Sequence, residues 1–92
     1  MKILDTMIID PEGLHARPAS RLVSLCYGYN SDIHINFDGM RANGKNITDV
    51  LALGVEKNDR IKIEISGNDE SEAEHALRNL FGGLSSGMEK IK

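Results

Sequence analysis

A chain of 92 residues, 40% of them hydrophobic and 27% charged, is sized for one domain with a modest two-layer core. No segment approaches the roughly 18 apolar residues of a membrane span, so membrane insertion is not expected. A formal net charge of −3 argues against nucleic acid as the main partner, because that association is driven by neutralising phosphates.

Residues 2–9 alternate loosely and are rich in Ile, Leu and Met, which predicts a strand stopped by Asp10 and Pro11. The lone Lys and broken apolar run at this end do not read as a signal peptide, so a cytoplasmic location is expected. From Ala16 to Tyr27 the positions Ala19, Leu22, Val23 and Cys26 form the single stripe of an amphipathic helix, closed by Gly28. Cys26 is the single cysteine, which rules out an internal disulfide, and its place on that stripe marks a packed thiol. Residues 33–38 alternate strictly, with Ile33, Ile35 and Phe37 inward and His34, Asn36 and Asp38 outward. Asp38-Gly39 is a two-residue hairpin signal, after which Met40 and Ala42 resume the inward face.

Asn46 followed by Ile47, Val50 and Leu51 predicts a short helix ending at Gly54, with Asn46 as N-cap and Asp49 as the reciprocal acid of a capping box. Residues 60–66 alternate again, with Ile61, Ile63 and Ile65 inward. Asn68 and Asp69 offer caps for a last helix whose core stripe is Ala73, Ala76, Leu77, Leu80 and Leu84, with acidic residues at the end the macrodipole prefers. The order is βαββαβα. One apolar and one polar face on each strand point to an open-faced α+β two-layer sandwich, a four-stranded antiparallel sheet with three helices on one face. The domain is expected over residues 1–84. The segment 85–92 follows Gly82 and Gly83 without a sustained period, and is expected to fray or to extend the helix only in part.

The block GLHARPA, residues 13–19, sits at the start of the first helix. Helix N-termini carry unpaired N–H groups and partial positive charge, so with His15 as N-cap a phosphate on its ring would lie in an anion site. Arg17 adds a permanent charge and a fork of donors matched to phosphoryl oxygens. Pro18 lacks only an N–H that would be free anyway, and it biases Arg17 away from the helical region. Gly13 permits a sharp entry and close approach; with Pro18 and Ala16 it completes the support of the phosphate seat. The positive helix end favours the neutral imidazole, leaving a ring nitrogen as nucleophile. No metal or cofactor is needed. Taken by itself, a His before an Arg at a helix start also fits an ordinary exposed cap.

Together with the element order, GLHARPA resembles the HPr family, the histidine phosphocarriers of the bacterial sugar phosphotransferase system, over about residues 1–84. The resemblance implies that His15 is phosphorylated as a pros-phosphohistidine intermediate. The donor would be phosphorylated enzyme I, itself charged by phosphoenolpyruvate, and the acceptors the sugar-specific enzyme II A components. It further implies that Arg17 stabilises the phosphoryl group, that the protein is a carrier and not an enzyme with its own small substrate, and that it is a monomer. The stretch Gly44–Gly54 corresponds to the family's docking helix. Ile47 and Leu51 match its apolar face, with Arg21 and Thr48 beside them; burial of Ile47 and Leu51 in the core is the competing reading, and for Val50 and Leu53 it is the favoured one.

The departures from the family lie outside the motif. Many Gram-positive members carry, just before the Ile that opens the second helix, a Ser phosphorylated by a dedicated kinase; here it is Asn46, which caps a helix equally well but has no hydroxyl. Seryl control at this position is therefore not expected. Thr48 and Asp49 make the docking surface more polar and acidic than is usual. Glu12 could repel the phosphoryl group or orient the imidazole. His34 and His75 fall on outward faces, and no spacing among the three His suggests a metal site. Arg17 and Arg21, one turn apart, are a basic rim for acidic partners or a solvated face. A regulatory module that works by phosphorylation-dependent binding is the alternative function. A nitrogen-metabolism or dihydroxyacetone kinase branch would use the same motif.

Overall fold

A computed structural model describes residues 1–90, with side chains to residue 82. Seven elements follow in the expected order: β1 (Lys2–Met7), α1 (Ala16–Tyr27), β2 (Asp32–Phe37), β3 (Met40–Asn43), α2 (Ile47–Ala52), β4 (Arg60–Ser66) and α3 (Glu70–Lys90). The expectation of Leu84 in the core stripe lies outside the described side chains. So does the order of the tail 85–92 beyond the backbone to Lys90.

The strands form one sheet in the order β1-β4-β2-β3. β4 pairs antiparallel with both β1 and β2, so those two run parallel to each other with β4 between them. Strict alternation explains the register: Leu4, Ile63 and Ile35 stand in one row across three strands, and Ile65 faces Ile33 in the next, all on the buried side. Against that face lie Ala19, Leu22, Val23 and Cys26 of α1, Val50 of α2, and Ala73 and Leu77 of α3, in one continuous core. The other face of the sheet carries Asp5, Asn36, Lys62, Glu64 and the Arg41–Glu64 ion pair at 3.0 Å. This is the open-faced two-layer sandwich the alternation predicts. Burial pushes the Cys26 thiol up to about 12, the state of a packed and unreactive group.

The hairpin turns on Asp38 and Gly39, both at positive φ (52° and 79°), the twist-compatible two-residue turn. Met40 takes the inward face expected of it without being buried. It shares the inward face of Phe37, its cross-strand partner, but stands at the corner of the sheet on the edge strand and is 43% exposed. β1 also stops early, at Met7. Ile8 keeps the chain attached through backbone bonds to Asp59 and Asn58 (2.8 and 2.7 Å).

The two predicted capping acids do something else. Asn46 accepts from the Asp49 amide at 3.1 Å as an N-cap should, but the Asp49 carboxylate reaches back to the Asn43 amide rather than closing the box. Asp69, expected to cap α3, instead accepts from the Asn30 and Ser31 amides (2.7 and 2.9 Å) and from the Ser31 hydroxyl. It thereby ties the α1–β2 connection, where Ser31 is fully buried, to the start of α3.

The Ser31 hydroxyl, and after it the Asn30 amide, hold the Asp69 carboxyl below its ordinary 3.8. The Gly67 amide and the chain's own N-terminus do the same for Glu70 relative to 4.5. Both native values are depressed, so the folded state binds these protons less readily than the unfolded state. Their stabilisation is therefore complete above the ordinary values and lost as the pH falls through the native ones. Asp69→Ala should lower stability at pH 7 and flatten the acid limb of the stability–pH curve, as measured by urea unfolding between pH 7 and pH 3. A variant whose curve runs parallel to the wild type would contradict this.

Candidate functional site

Two loops meet around His15. In the β1–α1 loop the Asp10 carboxylate accepts from the Glu12 amide (2.8 Å), the Asp10 carbonyl from Gly13 (2.9 Å), and the Glu12 carbonyl from His15 (3.3 Å), a compact turn that aims the chain into α1. The second segment is the α2–β4 loop. Its Val55 carbonyl accepts from the Leu14 amide at 3.0 Å, and both Leu14 and Val55 are buried. Gly13 makes this approach: its φ is +64°, and a Cβ there would lie 2.4 Å from the Val55 carbonyl oxygen and 2.8 Å from the Glu56 Cα. Leu14 thus anchors the loop inward, while the His15 side chain stays 40% exposed.

His15 is the N-cap of α1, extended at φ −112° and ψ 162°, as the sequence predicts. Its side chain makes no capping bond, and the first turn has no acidic residue, so the amides of that turn are left for an anion. Arg17 and Pro18 lie in the first turn of α1, and the left-handed residue at this start is Ala16, at φ +48°. A residue with a Cβ held there carries strain of order 1–3 kcal/mol. Arg17, Pro18 and Arg21 line a shallow depression beside the helix start, shared with Asp10, Pro11 and Glu12. Among the described residues neither arginine forms an ion pair.

The carboxylate at the ring is not Glu12, on which the sequence centres attention, but Glu56. Its Oε2 stands 3.3 Å from His15 Nε2, across 41 residues of chain. An ionised carboxylate can only accept, so Nε2 is the donor in this contact, and in the neutral ring Nδ1, with no protein partner among the described residues, then carries the lone pair. Glu56 is itself held by a bond from its amide to the Asp59 carboxylate at 2.9 Å. No spacing or motif in the sequence signals this pairing.

Ile47 and Leu51 are 38% and 39% exposed on α2 while Val50 and Leu53 are buried, which places the first pair on the surface and the second in the core. Thr48 and Arg21 are also exposed. Helices α1 and α2 pack together, and α2 runs directly into the loop that reaches His15. His34 lies on the outward face of the sheet and His75 is exposed. Among the described residues no group of His, Cys, Asp and Glu side chains is gathered for a metal ion, and no helix is long and apolar enough to cross a membrane.

An open-faced sandwich with a half-exposed histidine capping its first helix, two arginines lining a depression at that helix start and an apolar pair on its short second helix fits the phosphocarrier class. The chain matches the family described as "PTS HPr component phosphorylation site" over residues 5–82. It is 35% identical over 79 residues to the phosphocarrier protein HPr of Mycoplasma pneumoniae, covering 85% of this chain and 90% of that one. Its structure resembles the crystal structure of HPr-C-His from Thermoanaerobacter tengcongensis at a TM-score of 0.86 and 36% identity, over 88% and 91% of the two chains. It also resembles an HPr dimer from the same organism at 0.72 and 35%, over 90% and 95%. The chain belongs to the HPr family of the phosphotransferase system and is a phosphocarrier rather than an enzyme.

Proposed function

We propose that His15 is the phosphoryl acceptor, taking the group on Nδ1 from phosphorylated enzyme I and passing it to enzyme II A components for sugar uptake. The observation that carries this reading is the surroundings of His15. The ring stands half-exposed at an uncapped helix start, with Arg17 and the first-turn amides free to receive the charge of the incoming group. Gly13, Ala16 and Pro18 shape that start. Ile47 and Leu51, with Thr48 and Arg21 around them, form the surface that successive partners read, a small apolar centre with a polar rim. Nothing in this scheme calls for a cofactor. The reading places the carrier in the cytoplasm as a monomer, and places Asn46 outside seryl control because it offers an amide where a kinase needs a hydroxyl.

Incubation with enzyme I and phosphoenolpyruvate should yield a phosphoprotein labile to acid. His15→Ala should abolish the label, and Arg17→Ala should reduce its rate of formation by about tenfold or more, the loss of a charge-assisted contact to the phosphoryl oxygens. Label that persists in His15→Ala would remove His15 from the reaction.

A further inference from the structure

The contact between His15 and Glu56 has a chemical consequence for a carrier. We infer that Glu56 is a positioning residue for His15: it holds the proton on Nε2 so that Nδ1 presents the nucleophilic lone pair, and it keeps that proton on the ring once the phosphoryl group has arrived. The inference rests on the reading of His15 as the phosphoryl acceptor.

Three observations place Glu56 there by construction. Its carboxylate is the one within 3.3 Å of the ring. Its backbone is pinned on one side by Asp59 and on the other by the close approach of Gly13, which leaves no room for a Cβ against Glu56 Cα. The neighbouring Leu14–Val55 bond joins the loop of the ring to the loop of the carboxylate. The other charged groups on these segments are Asp10, Glu12 and Arg17 on the ring's side and Lys57 and Asp59 on that of Glu56. None of them bonds to the ring among the described residues.

As Nδ1 attacks, its lone pair becomes the N–P bond, and the donor's bond to phosphorus breaks with its electron pair remaining on the donor. The Nε2 proton does not move. The ring therefore becomes a phosphoimidazolium whose positive charge is shared by both nitrogens, and Glu56 lies against the nitrogen that bears the proton. In the onward step the N–P bond breaks and its electrons return to Nδ1. Because Nε2 is still protonated, the leaving group is neutral imidazole rather than an imidazolide anion. Glu56 so favours both loading and unloading. Its exposure (70%) and the 3.3 Å distance limit the effect to that of a solvent-screened pair.

Two variants separate the parts of this role. Glu56→Gln keeps an acceptor and loses the charge, and Glu56→Ala loses both. In nitrogen-15 spectra of the unphosphorylated protein at alkaline pH, wild type and Glu56→Gln should hold the ring proton on Nε2. Glu56→Ala should raise the Nδ1–H share by about fivefold. After phosphorylation of His15 with phosphoramidate, the pH midpoint of phosphohistidine hydrolysis should fall by about half a unit in both variants, since the charge that retains the ring proton is gone. An unchanged tautomer in Glu56→Ala overturns the positioning role, and superimposable hydrolysis profiles overturn the retained proton. Failure of His15 to take phosphate from either donor would instead reject the proposed function, and the spectra of the unmodified protein would still decide the inference.

Discussion

Gly13→Ala should lower the midpoint of thermal unfolding by roughly 12–24 °C, the equivalent of about 3 kcal/mol in a domain of this size. Two independent costs meet at this residue. Its φ of +64° is left-handed, which a residue with a Cβ adopts only under strain. The added methyl would also fall 2.4 Å from the Val55 carbonyl oxygen and 2.8 Å from Glu56 Cα, both backbone atoms that cannot swing aside like the tip of a side chain. The loops must then separate, the Leu14–Val55 bond must lengthen, and the Glu56 carboxylate must withdraw from His15. Gly39→Ala is the control, since its φ is +79° but nothing lies within 4 Å of the added atom. It should cost only the conformational share, about 1 kcal/mol. Equal melting points for the two variants would show that the two loops do not meet closely at Gly13.

Ile63→Ala should cost about 3–4 kcal/mol, a large fraction of the roughly 5–15 kcal/mol that holds a domain of this kind. Ile63 is fully buried on β4, the strand with partners on both sides, in a row with Leu4 of β1 and Ile35 of β2. Truncation leaves a cavity under the helices that neighbouring strands cannot fill without breaking their ladders. Lys62→Ala, one residue away on the open face, should change stability by less than about 0.5 kcal/mol. Urea unfolding at constant m-value measures both. A loss below about 1 kcal/mol for Ile63→Ala would mean that the core collapses around the gap.

The burial of these faces is legible in the sequence. Residues 33–37 and 60–66 show their inward Ile in strict alternation, and α1 shows its stripe at helical spacing, because the side-chain period of each element is a local property of the backbone. The same holds for the Asp38-Gly39 turn, whose residue types tolerate positive φ, and for Asn46 as a cap. Structure and local pattern part where the outcome depends on neighbours. Met40 has the right alternation but stands at a sheet corner, which its own segment cannot know. The capping carboxylates of Asp49 and Asp69 each had a local partner on paper, yet bind amides brought close by the fold.

The site divides along the same line. By itself the sequence determined the imidazole, the guanidinium and the Pro at one helix start, because their chemistry is carried by residues within a single turn, and it determined which strand and helix faces are apolar. Only the tertiary structure decided which carboxylate touches the ring. Glu12 is three residues from His15 and lines the depression beside the helix, whereas Glu56 is 41 residues away and reaches Nε2. It also decided that Ile47 and Leu51, for which burial is the competing reading, face outward. The physical reason is that a side chain's chemistry and a segment's periodicity are set by a few adjacent residues, whereas proximity between distant segments is set by close packing and backbone hydrogen bonds, here Gly13 against the loop of Val55 and Glu56.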